Sequence, residues 1–417
     1  MKRNSFRVVF ILFIWFVISF VTNILGPLMP VIIENYNLSL GMASFLPFSF
    51  FLAYGVMSIP SGMLVENYGV KKSMLIAFGL NFIGAILFAF FPTYGMALAS
   101  LFVIGIGMAM LQVIINPLMR VAGGEEHFAF FSVMGQLVFG GASFVSPFVF
   151  TYLMRNLSGY EGGGNLFIDS LSKLVPDGLP WSSFYWIFSV AFIVMILIIW
   201  SVRLPKVRLK EDEKTGPVQS YIELLKKRQV ILYALGIMAY VGTEQGLANW
   251  MSKFLQTYHG IDPVTEGAAT ISWFWGLMAV GCLVGLLLLK LFDSKVILKG
   301  VTILTMLAVV LALFGPVDVS RLAFSSTGFL IATMFSIIFS LALNSEEKHH
   351  GSFSGILCSG IFGGALIPLI IGWLGDMFGL KAAMLFLFVT LGYILSIGFW
   401  AKPNISNKTI SLKKKNK

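Results

Sequence analysis

Charge is what this sequence has least of: 12% of its 417 residues are Asp, Glu, Lys or Arg, where a soluble domain carries about 25%. With 57% hydrophobic residues there is too little polar surface to cover the apolar bulk, which excludes a water-soluble globule. Cysteine is nearly absent, and the two present, Cys282 and Cys358, lie inside apolar runs. Neither a disulfide framework nor a zinc site is expected, and both read as small packing residues. The four histidines, His127, His259, His349 and His350, fall between the apolar runs, and no H-E-x-x-H, Walker loop or Ser/His/Asp set appears. An enzyme, a bound metal and a cofactor are therefore not expected.

What the sequence has instead is a succession of long apolar runs. A helix crossing roughly 30 Å of hydrocarbon needs about 20 mostly apolar residues. Twelve segments qualify, near 8–33, 43–65, 73–91, 95–119, 128–153, 184–203, 230–250, 268–290, 296–315, 322–343, 352–374 and 382–401. The first is too long for the apolar core of a cleavable leader and reads as the first span. The expected fold is therefore an all-α membrane protein of twelve transmembrane helices.

Basic residues orient these spans, since Lys- and Arg-rich loops stay cytoplasmic. With the N-terminus inside, 24 of the 29 basic residues fall in cytoplasmic segments and 5 outside: Arg155, Lys173, Lys253, Arg321 and Lys381. The net charge of +10 is then an orientation signal. Its natural partners are anionic lipid headgroups, and a nucleic-acid role is not expected. Both termini are expected in the cytoplasm, in the cell (inner) membrane.

The longest polar segment, holding eight of those cytoplasmic charges, divides the spans six and six. The expected domains are 1–203 and 230–402, joined by a linker at 204–229 and followed by a basic tail at 403–417. Phe139-Gly140-Gly141-Ala142 in the fifth span recurs as Phe362-Gly363-Gly364-Ala365 in the eleventh, each followed by a proline, Pro147 or Pro368. Related halves of this kind are how many secondary transporters are built.

After the second span comes GMLVENYGVKK (62–72), and the eleventh ends in a relative, GWLGDMFGLK (372–381). The first matches the G-x-L-x-D-x-x-G-x-K/R signature of the major facilitator superfamily, with Glu66 in place of the usual Asp. Glycines at Gly62 and Gly69 permit a tight turn and close helix contact. An acid (Glu66, Asp376) and a cation (Lys71) can pair with helix ends and hold one conformer.

Four further stretches, VTNILGPLMP (21–30), LQVIINPLM (111–119), YVGTEQGLANW (240–250) and GSFSGILCSGIFGGALIP (351–368), resemble the fucose, galactose and glucose permease family of sugar:cation symporters. That resemblance implies two pseudo-symmetric six-helix bundles in the major facilitator fold. It also implies one carboxylate in the first span and one in the fourth for proton coupling and sugar binding. This sequence departs at both: Asn23 and Gln112 stand there, and neither amide carries a proton at neutral pH. The family's Q-x-x-N pattern in the fifth span is not reproduced either.

Amides still suit hydroxyl groups, since each offers a donor and an acceptor. Helical spacing groups Trp15, Ser19 and Asn23 on the first span, Gln112 and Asn116 on the fourth, Ser132, Gln136 and Gly140 on the fifth, and Ser336, Ser340 and Asn344 on the tenth. Substrate contacts are expected from Asn23, Gln112, Asn116, Gln136, Tyr240 and Asn344. Any one of them could equally be an interhelical hydrogen bond that only packs the bundle. Trp250 reads as an interfacial belt residue or a sugar-stacking face, and Trp273 and Trp275 share that ambiguity.

Glu244 stands apart as the acid placed well inside a span. Burying a charge there costs about 2.5 to 3.5 kcal/mol or more, so such a residue normally lines a cavity or pathway. It can serve as a proton carrier or a sodium ligand; the competing reading is a structural role near the outer end of the seventh span. The expected activity is alternating-access transport of a small hydroxylated solute, a hexose first, with proton or sodium coupling through Glu244. Efflux of drugs or another metabolite, and a solute sensor that does not transport, are the alternatives.

Overall fold

The computed structural model describes residues 5–123, 128–160, 162–163, 165–202, 218–346 and 349–404. Among these described residues, twelve helices are long and apolar enough to cross a membrane: Val8–Tyr36, Leu40–Ser58, Asn67–Phe90, Tyr94–Ile115, Met134–Leu157, Pro180–Ser201, Arg228–His259, Pro263–Leu291, Ser294–Phe314, Val317–Leu343, Gly351–Phe378 and Leu380–Trp400. They are spans one to twelve below. Short helices lie outside them at Leu166–Ser172 and Val218–Leu225. No strand occurs among the described residues.

Span ends follow local chemistry. Ser39 starts span two by accepting from the Met42 N–H, an N-cap. Asp293 does the same for Lys295 at the start of span nine. Gly260, at φ 67°, closes span seven in the left-handed conformation typical of helix ends. The helix thus runs to His259, nine residues beyond the expected 250. The extra turns carry Lys253 and Gln256, polar residues that end an apolar run on hydropathy alone, and they place Glu244 at the middle of span seven rather than near its outer end.

Two spans break where the cavity lies. Span one consists of Ser5–Thr22 and Leu25–Tyr36. Pro27 has no N–H to give the Asn23 carbonyl, so the helix opens at Asn23 and Ile24. Span ten divides between Val317–Ile331 and Met334–Leu343, with Thr333 in the gap.

The two sets of six meet along span one with seven, two with eleven, and five with eight. Glycines set these approaches. A Cβ on Gly26 would lie 2.4 Å from the Ala248 carbonyl oxygen, and one on Gly372 2.7 Å from that of Leu40. The repeated Phe-Gly-Gly-Ala segments also work here: Gly140 faces Ala279 of span eight, and Gly364 faces Phe51 of span two. At the end carrying Asn37, Gly260 and Gly379, polar clasps join the halves. The Asp376 carboxylate accepts from the Leu40 and Gly41 N–H groups, Gln256 donates to Glu34, and Thr151 donates to the Val264 carbonyl. This is the closed end.

Candidate functional site

Between the halves lies a cavity of about 390 Å³, within the range of small-molecule sites. Spans one, two, four and five contribute Asn23, Tyr54, Gln112 and Gln136; spans seven, eight and ten contribute Glu244, Gln245, Trp275, Cys282 and Ser336. It reaches Leu286 and Leu289, about four turns along span eight from Trp275 and away from the closed end.

Of the expected substrate residues, Asn23, Gln112, Gln136 and Tyr240 are brought together in this wall. Asn23 is held there by its Nδ2, which donates to Ser143 Oγ at 2.7 Å. Its stripe partners serve packing instead: Ser19 bonds the Phe139 carbonyl and Ser143, and Trp15 packs edge-on against Phe139. The side chains of Asn116 and Ser132 lie outside the described residues.

Asn344 is a correction. It sits at the end of span ten, where its carbonyl accepts from the Asn404 N–H and its Nδ2 donates to Ser340. It is not among the residues lining the cavity. Helical spacing placed it correctly on a face with Ser336, but eight residues further along, about 12 Å at helical rise.

The tryptophans resolve in three ways. Trp250 is fully buried and donates its indole N–H to the Pro368 carbonyl, fastening span seven to span eleven. It is neither a belt nor a stacking residue. Trp273 is exposed and meets Phe144 edge-on, whereas Trp275 is buried in the cavity wall. Cys282, expected only to pack, also lines the cavity.

Glu244 is the acid of this wall. Tyr240, one turn earlier, donates its hydroxyl to Oε2 at 2.8 Å, and Gln245 donates Nε2 to Oε1 at 3.1 Å. Among the described residues that line the cavity there is no Lys, Arg, His or second acid. The carboxylate therefore faces neutral donors and a space, an arrangement that can take up a cation or the hydroxyl of a neutral solute, but cannot balance an anion.

Spacing did not single out Gln245, Tyr54 or Thr333; it marked Ser336 as part of the stripe on span ten, and Ser336 does line the cavity. Gln245 carried a usable signal, since a second polar residue beside a lone intramembrane acid is itself costly. Thr333 did not: it reaches the wall through the break in span ten.

The signature loop is built on glycine. Gly69 takes φ 77°, ψ 163° between spans two and three, and Gly379 takes φ 82°, ψ 150° between spans eleven and twelve. With Gly62 matching Gly372 and Lys71 matching Lys381, the two segments are related units at opposite ends of the molecule. Lys71 donates to the carbonyls of Trp200 and Val202 at the end of span six, a cation at a helix C-terminus. Asp376 caps the start of span two. The Glu66 side chain lies outside the described residues.

Comparison with known proteins agrees with this architecture. The chain is 28% identical over 409 residues to the glucose/galactose transporter of Brucella abortus, covering 95% of this chain and 94% of that one. It is 22% identical to the L-fucose-proton symporter of Escherichia coli K12, covering 88% and 85%. Its fold is similar to a solved structure of the E. coli fucose:proton symporter, with a TM-score of 0.67 at 19% identity over 95% and 98% of the chains. It is also similar to a bacterial homolog of the human lysosomal transporter Spinster in an inward-facing, occupied conformation, at 0.75 and 15% over 95% and 96%. The Major Facilitator Superfamily model matches residues 11–365, and with twelve spans in two sixes around one cavity, the chain belongs to that superfamily.

Proposed function

We propose that this protein is a secondary transporter of a neutral hexose, glucose or galactose, driven by a cation bound at Glu244. The observation that carries this reading is the cavity itself: amides from one half face a single carboxylate from the other, with no basic residue in the described lining. Donor and acceptor edges of Asn23, Gln112 and Gln136 suit sugar hydroxyls, and Tyr240 and Trp275 offer flat faces for the ring. The names of the glucose/galactose and fucose-proton relatives support a sugar and a proton.

In this reading the bundles 1–203 and 230–402 rock about the cavity, linked by 204–229 and followed by the basic tail 403–417. The charge bias supports a cytoplasmic location for both termini in a cell (inner) membrane, with lipid headgroups against the basic loops. The closed end then faces outward and the cavity drains inward. Gly62, Glu66, Gly69, Lys71 and Asp376 serve as gate elements.

Uptake of labelled sugars into proteoliposomes under imposed pH and sodium gradients tests this. Galactose or glucose should accumulate under an inward proton gradient and saturate. Glu244→Gln should abolish accumulation while preserving exchange of labelled for unlabelled sugar. Accumulation that survives this substitution would remove Glu244 from coupling, and the absence of any hexose exchange would remove the sugar assignment.

A further inference from the structure

Gln245 is placed between the coupling acid and the substrate space. Its Nε2 donates to Glu244 Oε1 at 3.1 Å, its Oε1 receives Asn249 Nδ2 at 3.4 Å, and its side chain lines the cavity while the residue is 6% exposed. Asn249 in turn is fixed, donating to the Gln245 backbone carbonyl at 2.8 Å. The amide of Gln245 is thus clamped at both of its edges, and one clamp depends on the state of Glu244.

An ionised carboxylate only accepts hydrogen bonds, whereas a carboxylic acid also donates one. Each carboxylate oxygen receives one donor, Tyr240 on Oε2 and Gln245 on Oε1; the case that couples to the amide is the one in which the proton taken up by Glu244 sits on Oε1, the oxygen facing Gln245. Two donors then oppose each other at that contact, Oε1–H of Glu244 and Nε2–H of Gln245. The pair is restored only if the amide turns over, so that Gln245 Oε1 accepts from Glu244. That rotation breaks the bond from Asn249 and releases the Nε2 donor toward the cavity.

We propose that Gln245 is the positioning residue that converts protonation of Glu244 into sugar affinity: with the acid ionised its N–H is spent on Glu244, and with the acid protonated the N–H is presented to a sugar hydroxyl. The inference rests on the reading of Glu244 as the coupling site and takes the coupled cation to be a proton. Both carboxylate oxygens are met by donors rather than by the converging oxygens a hard metal cation needs. Among the described residues no group of three acidic, His or Cys side chains could hold a metal ion.

Other titratable groups facing Glu244 are few. Tyr240 shares its helix, Cys282 approaches from span eight and Tyr54 lines the wall from span two; spans one, four, five, ten and eleven add none among the described lining residues. A dependence of sugar binding on pH therefore has one acid to come from. Its sign is fixed by linkage: if protonation raises sugar affinity, sugar raises proton affinity by the same factor, which is what symport requires.

The test is the half-saturating galactose concentration for counterflow in proteoliposomes, measured in mildly acidic and mildly alkaline buffer. In the wild type it should rise with pH by about 5-fold or more, the lower range of measured couplings. Gln245→Leu should hold the half-saturating concentration near its high, alkaline value in both buffers, so that the dependence is lost, and Gln245→Met replaces it if the first variant does not reach the membrane. Glu244→Gln should be equally flat. A residue that merely supports the helix would lower counterflow at every pH and leave the slope intact; that outcome, with Glu244→Gln flat, overturns the role given to Gln245. A wild-type slope persisting in Glu244→Gln would instead overturn the coupling role of Glu244.

Discussion

Asp376, at the end of span eleven, accepts a 2.8 Å hydrogen bond from the backbone N–H of Gly41, and its other carboxylate oxygen takes that of Leu40 at the same distance. One side chain of the second half thus satisfies two of the orphan donors at the start of span two in the first half. A carboxylate at a helix N-terminus contributes about 0.3 to 2 kcal/mol. In alternating access this contact exists in only one state, so its whole value weights the equilibrium between states.

Asp376→Asn should therefore shift the population toward opening at that end. A loss of one to two kcal/mol corresponds to a change of about 5- to 30-fold. Ser44→Cys, buried against Gly372 in the closed end, reports it in a background where Cys282 and Cys358 are replaced by serine. Its labelling rate with a membrane-impermeant maleimide should rise by that factor when Asp376→Asn is added. An unchanged rate would show that Asp376 does not hold this end shut.

Gly26 provides an independent handle on the same gate. A Cβ there would meet the Ala248 carbonyl oxygen at 2.4 Å, backbone against backbone, so spans one and seven cannot keep their approach. Overpacking of this kind costs about 1 to 3 kcal/mol, and it is relieved when the spans separate. Gly26→Ala should raise labelling of Ser44→Cys and lower galactose uptake together. A variant that loses uptake with Ser44→Cys still protected would place the defect elsewhere.

Charge in the cavity sets which solutes can enter. The described lining holds Glu244 and no basic residue, so an anionic sugar would be desolvated beside a carboxylate with nothing to balance it. Glucuronate and glucose 6-phosphate should fail to compete with labelled galactose at concentrations where unlabelled glucose competes fully. Competition by glucuronate equal to that by glucose would require a cation that the described wall lacks.

Much of this architecture was readable from the amino acids, because bilayer thickness imposes a length that apolar runs must meet. The signature glycines were readable too: Gly69 and Gly379 stand at backbone angles that side chains rarely adopt, so the residue type announces the turn. Depth was not readable. Asn344 shares a helical face with Ser336, yet only Ser336 reaches the cavity, since periodicity gives direction around an axis and not position along it. Trp250 was misplaced for a related reason: hydropathy ended span seven there, while Lys253 and Gln256 carry the helix on to His259. Gln245 could be marked as a polar neighbour of Glu244, but its contacts with Glu244 and Asn249 together could not, since a pattern of single residues does not contain a network.

The two glutamines across the cavity from Glu244 give the most direct probe of the sugar site itself. Gln112 on span four and Gln136 on span five both line it, and each offers neutral hydrogen bonds worth about 0.5 to 1.5 kcal/mol, or about 2- to 12-fold in affinity. Gln112→Ala and Gln136→Ala should each raise the half-saturating galactose concentration within that range. The maximal exchange rate and the dependence on pH should stay unchanged, since neither residue touches the Glu244 network. If the two amides hold different hydroxyls, the double variant should show the product of the single effects; an effect no larger than either alone means that both grip one hydroxyl. A pH dependence that disappears in either single variant would move the coupling route to the first half of the molecule, against the assignment to span seven.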